Sequence, residues 1–218
     1  MIWREKAIEQ IKQVFPAQAN ALIDHIRAAA SFEGSESIFR RITHANDAEQ
    51  IMDYFAEIRF GLMFAHLRFE TAFEPFGERG PDLSISRDGQ RAYIEVRRFR
   101  SEDRAEEIGD ELKAYGNPSK DIKRIIDRII EKFKQLDCGN GIVALWNDHD
   151  DWELEFEFAM NDIRLESSNG IRELQATLLF SVFGSASLYV RRRQRFYAEP
   201  FQQLSEPYVT WIEDLKKL

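Results

Sequence analysis

The chain has 218 residues, of which 44% are hydrophobic and 31% charged, and its formal net charge at pH 7 is −8. Such a composition is typical of a globular protein, and 17 Phe and 4 Trp residues indicate a sizeable core. The acidic balance excludes a protein whose whole surface attracts nucleic acid, although a local basic patch would suffice for phosphate contact. The one cysteine, Cys138, excludes an intramolecular disulfide and a multi-cysteine zinc site, and it fits a reducing compartment.

The first residues, MIWREKAIEQ, are charged and helical in pattern, without the apolar region of a signal peptide. No apolar run approaches the length of a membrane span. We therefore expect a cytoplasmic protein with no membrane partner.

The first third of the chain has the periodicity of helices. Apolar spacing predicts one short helix that stops at Pro16 and a second one from Leu22 to Ala30. Glycine and serine predict a loop over residues 31–37. Asn46 and Glu49 have the spacing of a capping box, and they open a long helix with apolar residues at alternating spacings of four and three.

Strands follow from residue 71. Three short candidates, over 71–76, 82–86 and 92–99, are separated by Gly, Pro and Asp-Gly signals. Next comes a strongly periodic helix from Ile122 to Phe133. The continuous apolar run 141–146 is typical of a strand that is covered on both faces.

The remaining elements are more ambiguous. Residues from Asp150 to Met160 fit either a strand or a helix, and we favour a helix capped by Asp150 or Asp151. Two strand candidates, over 175–183 and 187–198, precede a C-terminal helix around Trp211. The order helix–strand–strand–strand–helix–strand predicts an α/β fold, with a mixed central sheet flanked by helices.

A candidate site lies around the Asp88-Gly89 turn. Asp82 precedes the strand before this turn, and Glu95 and Arg97 share one face of the strand after it. A hairpin through Asp-Gly would bring Asp82 near them. Two carboxylates and one cation suit a divalent metal and a phosphate. Glu57, on the long helix, flanks the apolar stripe and could assist.

This pattern resembles the PD-(D/E)xK nuclease superfamily over about residues 46–200, with one departure, because Arg97 stands where the family has lysine. The resemblance implies a restriction-endonuclease-like domain over 46–218 and an N-terminal helical extension over 1–45. It also implies hydrolysis of DNA phosphodiester bonds with Mg²⁺ or Mn²⁺ on Asp82 and Glu95. Glu57 would assist, and Arg97 would meet the scissile phosphate.

Arginine stays protonated and presents a planar fork, so it stabilises phosphoryl charge but does not replace a lysine that activates water. Lysines on the next helix could supply the missing ammonium; they are Lys120, Lys123 and Lys132. The alternative function is a catalytically inactive module of the same fold that binds nucleic acid or a protein partner. Taken singly, Asp82 also fits a turn residue and Glu95 an exposed ion pair.

Basic residues near the C-terminus predict a nucleic-acid surface, because arginines there alternate with aromatic side chains. The residues assigned to this surface, together with Arg98, are Arg191, Arg192, Arg193 and Arg195. An edge strand protected by charge is the competing interpretation. DNA is the expected partner, RNA is a further one, and the N-terminal helices are a candidate interface for a homo-oligomer.

Overall fold

The computed structural model describes residues 2–77, 80–100, 118–136, 141–147, 153–166, 174–183, 193–200, 211 and 214. The chain divides into two compact units, Met1–Val96 and Arg97–Leu218. The predicted boundary at residue 45 falls inside the first unit, and a separate N-terminal extension stays a prediction.

Four helices open the first unit. They are α1 (Ile2–Val14), α2 (Ala19–Ala29), α3 (Ser35–Thr43) and α4 (Ala48–His66). The two predicted N-terminal helices are confirmed, and α1 ends before Pro16 because proline has no N–H to continue the helical ladder. Helix α1 packs against α2 and α3, and α4 packs against α2 and α3.

Helix α3 corrects the predicted loop over residues 31–37. Ser35 to Ser37 form its first turn, after Gly34 with a φ of 76°. Glycine and serine suggest a loop, but the buried face of Ile38, Phe39 and Ile42 provides the apolar contacts that a short helix needs.

The long predicted helix is confirmed as α4, but its predicted cap is wrong. Asp47 is the N-cap, and its side chain accepts a hydrogen bond from the backbone N–H of Gln50 at 2.7 Å. The Gln50 side chain in turn accepts from the backbone N–H of Asn46 at 2.8 Å. The N-cap therefore lies one residue later than predicted, and the Gln50 side chain binds the N–H before the N-cap instead of that of the N-cap itself.

Three strands complete the first unit as an antiparallel meander: β1 (Glu70–Phe73), β2 (Leu83–Arg87) and β3 (Gln90–Arg98). Asp88 and Gly89 have φ values of 55° and 77°, as the predicted two-residue hairpin turn requires. One face of the meander is buried and carries Phe73, Leu83, Ile85, Ala92 and Ile94. Gly61 of α4 lies against this face, where an added Cβ would be 3.2 Å from Cζ of Phe73.

The second unit contains the end of β3 and then α5 (Pro118–Phe133), β4 (Gly141–Asn147), α6 (Glu153–Glu166), β5 (Leu174–Phe183) and β6 (Arg193–Pro200). Strand β4 is buried at every position, as its continuous apolar run predicts. It pairs parallel with β5, and β5 pairs antiparallel with β6, so the strand pairing is mixed. Helix α5 packs against β4 and α6.

The helix prediction for α6 is confirmed. Its predicted caps, Asp150 and Asp151, lie outside the described residues, as do residues 187–192 of the last predicted strand. Trp211 and Asp214 are the described residues of the predicted C-terminal helix, and Trp211 is buried.

These elements confirm the α/β class. Their chain order α4–β1–β2–β3–α5–β4 is the predicted helix–strand–strand–strand–helix–strand order. No helix in the described part of the chain is long and apolar enough to cross a membrane.

Candidate functional site

Asp82 lies immediately before β2 and is fixed by two hydrogen bonds. Its Oδ2 accepts from the backbone N–H of Val96 at 2.8 Å, and its carbonyl oxygen accepts from the backbone N–H of Glu74 at 2.9 Å. Because Leu83 pairs with Ile94, continuing the register places Asp82 across from Glu95. The hairpin thus holds the Asp82 carboxylate beside the segment of β3 that contains Glu95.

Glu95 is among the most buried charged residues of the described chain, with 2% of its surface exposed. It follows Tyr93 by two residues on β3, so both side chains belong to the face of the meander opposite Ile94. A carboxyl group at this depth is costly unless hydrogen bonds or a cation stabilise it. Its burial therefore excludes the interpretation of Glu95 as one member of an exposed ion pair.

Glu57 is also buried, with 6% of its surface exposed. Its carboxylate accepts a hydrogen bond from the guanidinium of Arg41, which α3 supplies. An acidic residue on a helix is usually solvated, so this contact gives Glu57 an internal partner instead of water. Its predicted role beside a metal stays a prediction.

Arg41 has two further partners besides Glu57. Its Nε lies 2.8 Å from Oε1 of Glu74, an ion pair by distance although its angle is not that of a hydrogen bond. The other oxygen of Glu74 accepts from the Ser37 hydroxyl. The Arg41 guanidinium also lies over the ring of Tyr54, 4.5 Å from its centroid. We call Arg41, Glu57, Glu74 and Asp82 the acidic cluster.

Electrostatics stabilise the charged form of Arg41. Burial is the largest influence and by itself lowers the pKa of this guanidinium, but Glu57, Glu74 and Asp82 together outweigh it and raise the pKa above its ordinary value. The cluster therefore contains one permanent cation among three carboxyl groups. Burial also raises the pKa of the neighbouring Tyr54 hydroxyl, although Arg41 opposes this effect.

Sequence reasoning missed Arg41, Ser37 and Glu74. Ser37 and Arg41 are four residues apart and share one face of α3, but the predicted loop hid this helix. The spacing of Ile38, Phe39 and Ile42 was the available signal. Glu74 was hidden because it follows β1 at a non-helical position with a φ of 44°.

The second unit contains the predicted cations. Arg97 is half-buried and is one of the charges that lower the pKa of Glu131, for which the hydrogen bond from Arg128 is the largest cause. Arg98 exposes 5% of its surface, which weighs against direct contact with nucleic acid. Its assignment and that of Arg97 stay predictions.

The other predicted cations are only partly described. Arg193 and Arg195 lie on β6, where they pair with Phe183 and Ser181, but their side chains are not described. Arg191 and Arg192 lie outside the described residues. Lys123, one of the candidate ammonium groups, is exposed and forms an ion pair with Asp127 at 3.2 Å.

The described residues contain no group of three or more His, Cys, Asp or Glu side chains that could hold a metal ion. Mg²⁺ commonly uses only one or two protein carboxylates and keeps several waters. Glu57 already binds Arg41, and the metal-binding role of Asp82 and Glu95 stays a prediction.

The fold and the site define an α/β protein with a partly buried acidic cluster beside a β-hairpin. Comparisons of the chain with family models, with curated proteins and with solved structures find no match.

Proposed function

We propose that this protein is a metal-dependent nuclease-like hydrolase of DNA phosphodiester bonds, with a restriction-endonuclease-like PD-(D/E)xK fold. The observation that carries the proposal is the 2.8 Å hydrogen bond from the Val96 N–H to Oδ2 of Asp82, which holds this carboxylate beside Glu95. The observed chain order of helices and strands supports the same fold. Mg²⁺ or Mn²⁺ is the cofactor that two carboxylates of this kind fit.

Each residue has a stated role in this proposal. Asp82 and Glu95 bind the cation, which when present lowers the pKa of a bound water and neutralises phosphoryl charge. Arg97 follows Glu95 by two residues and contacts the phosphate, where a guanidinium stabilises negative charge but does not accept a proton. Glu57 assists through Arg41, which already holds its carboxylate.

The direct test is cleavage of supercoiled and single-stranded DNA in Mg²⁺ or Mn²⁺ by the wild type and by Glu95→Gln. We expect cleavage by the wild type and a loss of at least about 100-fold in the variant, because one metal ligand is removed. Glu9→Gln is the matched control, because Glu9 is exposed on α1 and forms an exposed ion pair with Lys12. Cleavage that survives Glu95→Gln would contradict the proposed site.

A second candidate function is a catalytically inactive module of the same fold that binds nucleic acid or a protein partner. Arg41 favours it, because a guanidinium held within the acidic cluster reduces the negative charge that a metal ion needs. The departure at Arg97 favours it as well.

Calorimetric titration with Mn²⁺ separates the two candidates. Binding that Glu95→Gln abolishes supports the hydrolase, whereas absence of binding supports the inactive module. Arg97→Lys adds a second criterion. A third outcome is that the wild type binds Mn²⁺ without cleaving DNA while the Arg97→Lys variant cleaves it. This outcome would support the metal site but not hydrolysis as the native function.

A further inference from the structure

An exposed aromatic ring lies next to the candidate metal site. Phe76 exposes 60% of its surface, although a phenylalanine ring gains about 2 kcal/mol or more when it is buried. Its ring centroid is 5.1 Å from that of Tyr93, at an interplanar angle of 42°. Tyr93 precedes Glu95 by two residues on the same face of β3. The Phe76 ring thus has a tilted aromatic neighbour while much of its surface faces solvent.

The loop that carries Phe76 is held at both ends by hydrogen bonds. The backbone N–H of Glu74 donates to the carbonyl of Asp82 at 2.9 Å, and that of Gly77 donates to the carbonyl of Glu74 at 2.8 Å. The N–H of Gly80 donates to the carbonyl of Gly77 at 3.0 Å. An added Cβ on Gly80 would lie 2.8 Å from Cβ of Phe76, so the chain passes directly against this residue.

Side chains anchor the same loop. Glu74 accepts from Ser37 and pairs with Arg41, so both of its carboxylate oxygens are engaged by α3. Because Phe76 follows this anchored residue by two positions, its backbone needs less ordering on binding, which reduces the entropic cost.

Charge along β3 indicates which chemistry would use the ring. Arg91 is exposed and precedes Tyr93 by two residues, so Arg91, Tyr93 and Glu95 follow one another on one face at intervals of about 7 Å. The order of a cation, an aromatic ring and the candidate metal site matches the order of a phosphate, a base and a second phosphate along one strand. Stacking on aromatic rings together with basic side chains is the usual way to bind single-stranded nucleic acid.

We infer that Phe76, supported by Tyr93, is a stacking platform for an unpaired base of a single-stranded nucleic acid, which places the neighbouring phosphate at Asp82, the half-buried member of the carboxylate pair. This inference rests on the proposed function and adds its substrate class. Duplex DNA keeps its bases stacked inside the helix, so the platform gives a preference for single strands.

The test is fluorescence anisotropy with a labelled oligothymidylate and with a duplex of the same length, in Ca²⁺ and also in EDTA. We expect the wild type to bind the single strand more tightly than the duplex. Phe76→Ala should weaken binding of the single strand by about 5-fold to 100-fold, the effect of one stacked base, and Phe76→Trp should retain it. Phe158→Ala is the matched control, because Phe158 is similarly exposed, at 57%, but belongs to α6.

Three results would overturn the inference. They are no binding of the single strand by the wild type, equal affinity of Phe76→Ala and wild type for the single strand, and an equal loss of affinity of Phe76→Ala for single strand and duplex. Binding is measured separately from cleavage. If Phe76→Ala does not weaken binding, the platform is refuted even if the protein cleaves DNA. If the protein binds single strands through Phe76 but neither binds Mn²⁺ nor cleaves DNA, only the hydrolase is refuted.

Discussion

Arg41 is the residue that makes three neighbouring carboxyl groups compatible with one another. Glu57 and Glu74 have side chains that are only 8% and 6% exposed, and both contact its guanidinium. This cation offsets their mutual repulsion and part of the cost of their desolvation. The contribution of Arg41 is therefore larger than that of an ordinary surface ion pair.

We predict that Arg41→Gln lowers the free energy of unfolding by about 3 kcal/mol, the typical cost of removing one partner from a buried ion pair. Urea denaturation followed by circular dichroism measures this change. Arg40→Gln is the control, because Arg40 is the preceding, exposed residue of α3. We expect it to change the stability by less than about 0.5 kcal/mol. Equal effects of the two substitutions would contradict the role of the cluster.

His25 makes stability depend on pH. Burial lowers the pKa of this imidazole below its ordinary value of 6.5, and Arg59 lowers it further, while Asp24 opposes them. The unfolded chain therefore binds a proton at a higher pH than the folded one does. As a result, the contribution of His25 to the free energy of unfolding is fully present above pH 6.5 and is lost as the pH drops from 6.5 through the folded pKa.

We predict that His25→Gln flattens this part of the pH profile, because glutamine does not titrate. Thermal unfolding of both proteins over a series of buffers from neutral to mildly acidic pH measures the difference. Parallel profiles for wild type and variant would show that other groups cause the pH dependence.

At the level of elements, the junction between α3 and β1 has little freedom for change. Gly34 precedes α3 with a φ of 76°, and a Cβ there would be 2.1 Å from the carbonyl oxygen of Phe73. The backbone N–H of Phe73 also donates to the carbonyl of Glu33 at 2.8 Å. Any side chain at position 34 would push α3 and β1 apart.

We predict that Gly34→Ala lowers the free energy of unfolding by about 2–4 kcal/mol, since it combines backbone strain with a steric clash. Gly89→Ala separates the two causes. Gly89 has almost the same φ, 77°, but nothing lies within 4 Å of its added Cβ. We expect Gly89→Ala to lower the free energy of unfolding by about 1 kcal/mol. Chemical denaturation of both variants measures the two changes. Equal costs would exclude the clash as a cause.

Elements with a strong periodic pattern were predictable from the sequence. Helix α4 and strand β4 bury long apolar stretches of the expected period, and the Asp88-Gly89 dipeptide specifies its turn through positive φ values. Helix α3 was missed because its glycine and serine residues are also common in loops. Its stability comes from packing on α1 and α4, which a local pattern does not contain.

The same limit applies to the candidate site. Asp82 and Glu95 were predictable because a hairpin relates them through local geometry. The role of Arg41 was not predictable, because its partners come from α4 and from the loop after β1. Only the tertiary structure brings these segments together. A motif search finds carboxylates at fixed spacings, but it does not find the cation that neutralises them.

For the molecule as a whole, a net charge of −8 opposes the approach of any nucleic acid. Binding that relies on one stacked base, a metal ion and few cations should release few counterions. We predict that log affinity for a single strand falls with log salt with a slope of only about −1 to −2, from two or three phosphate contacts. Anisotropy titrations at several salt concentrations, with Ca²⁺ held constant, measure the slope. A slope of about −5 would instead indicate an extended basic groove.

The loop from Glu74 to Asp82 is closed at its base by a single backbone hydrogen bond between these two residues. Its two end residues are thus fixed relative to β1 and β2, while Phe76, which lies between these ends, is exposed to solvent. Such a segment can change its length or its exposed side chain during evolution without moving the Asp82 carboxylate. Under the proposed function, substrate preference and metal geometry would therefore diverge independently in descendants of this chain, which makes the position of Phe76 a natural one for engineering a new specificity.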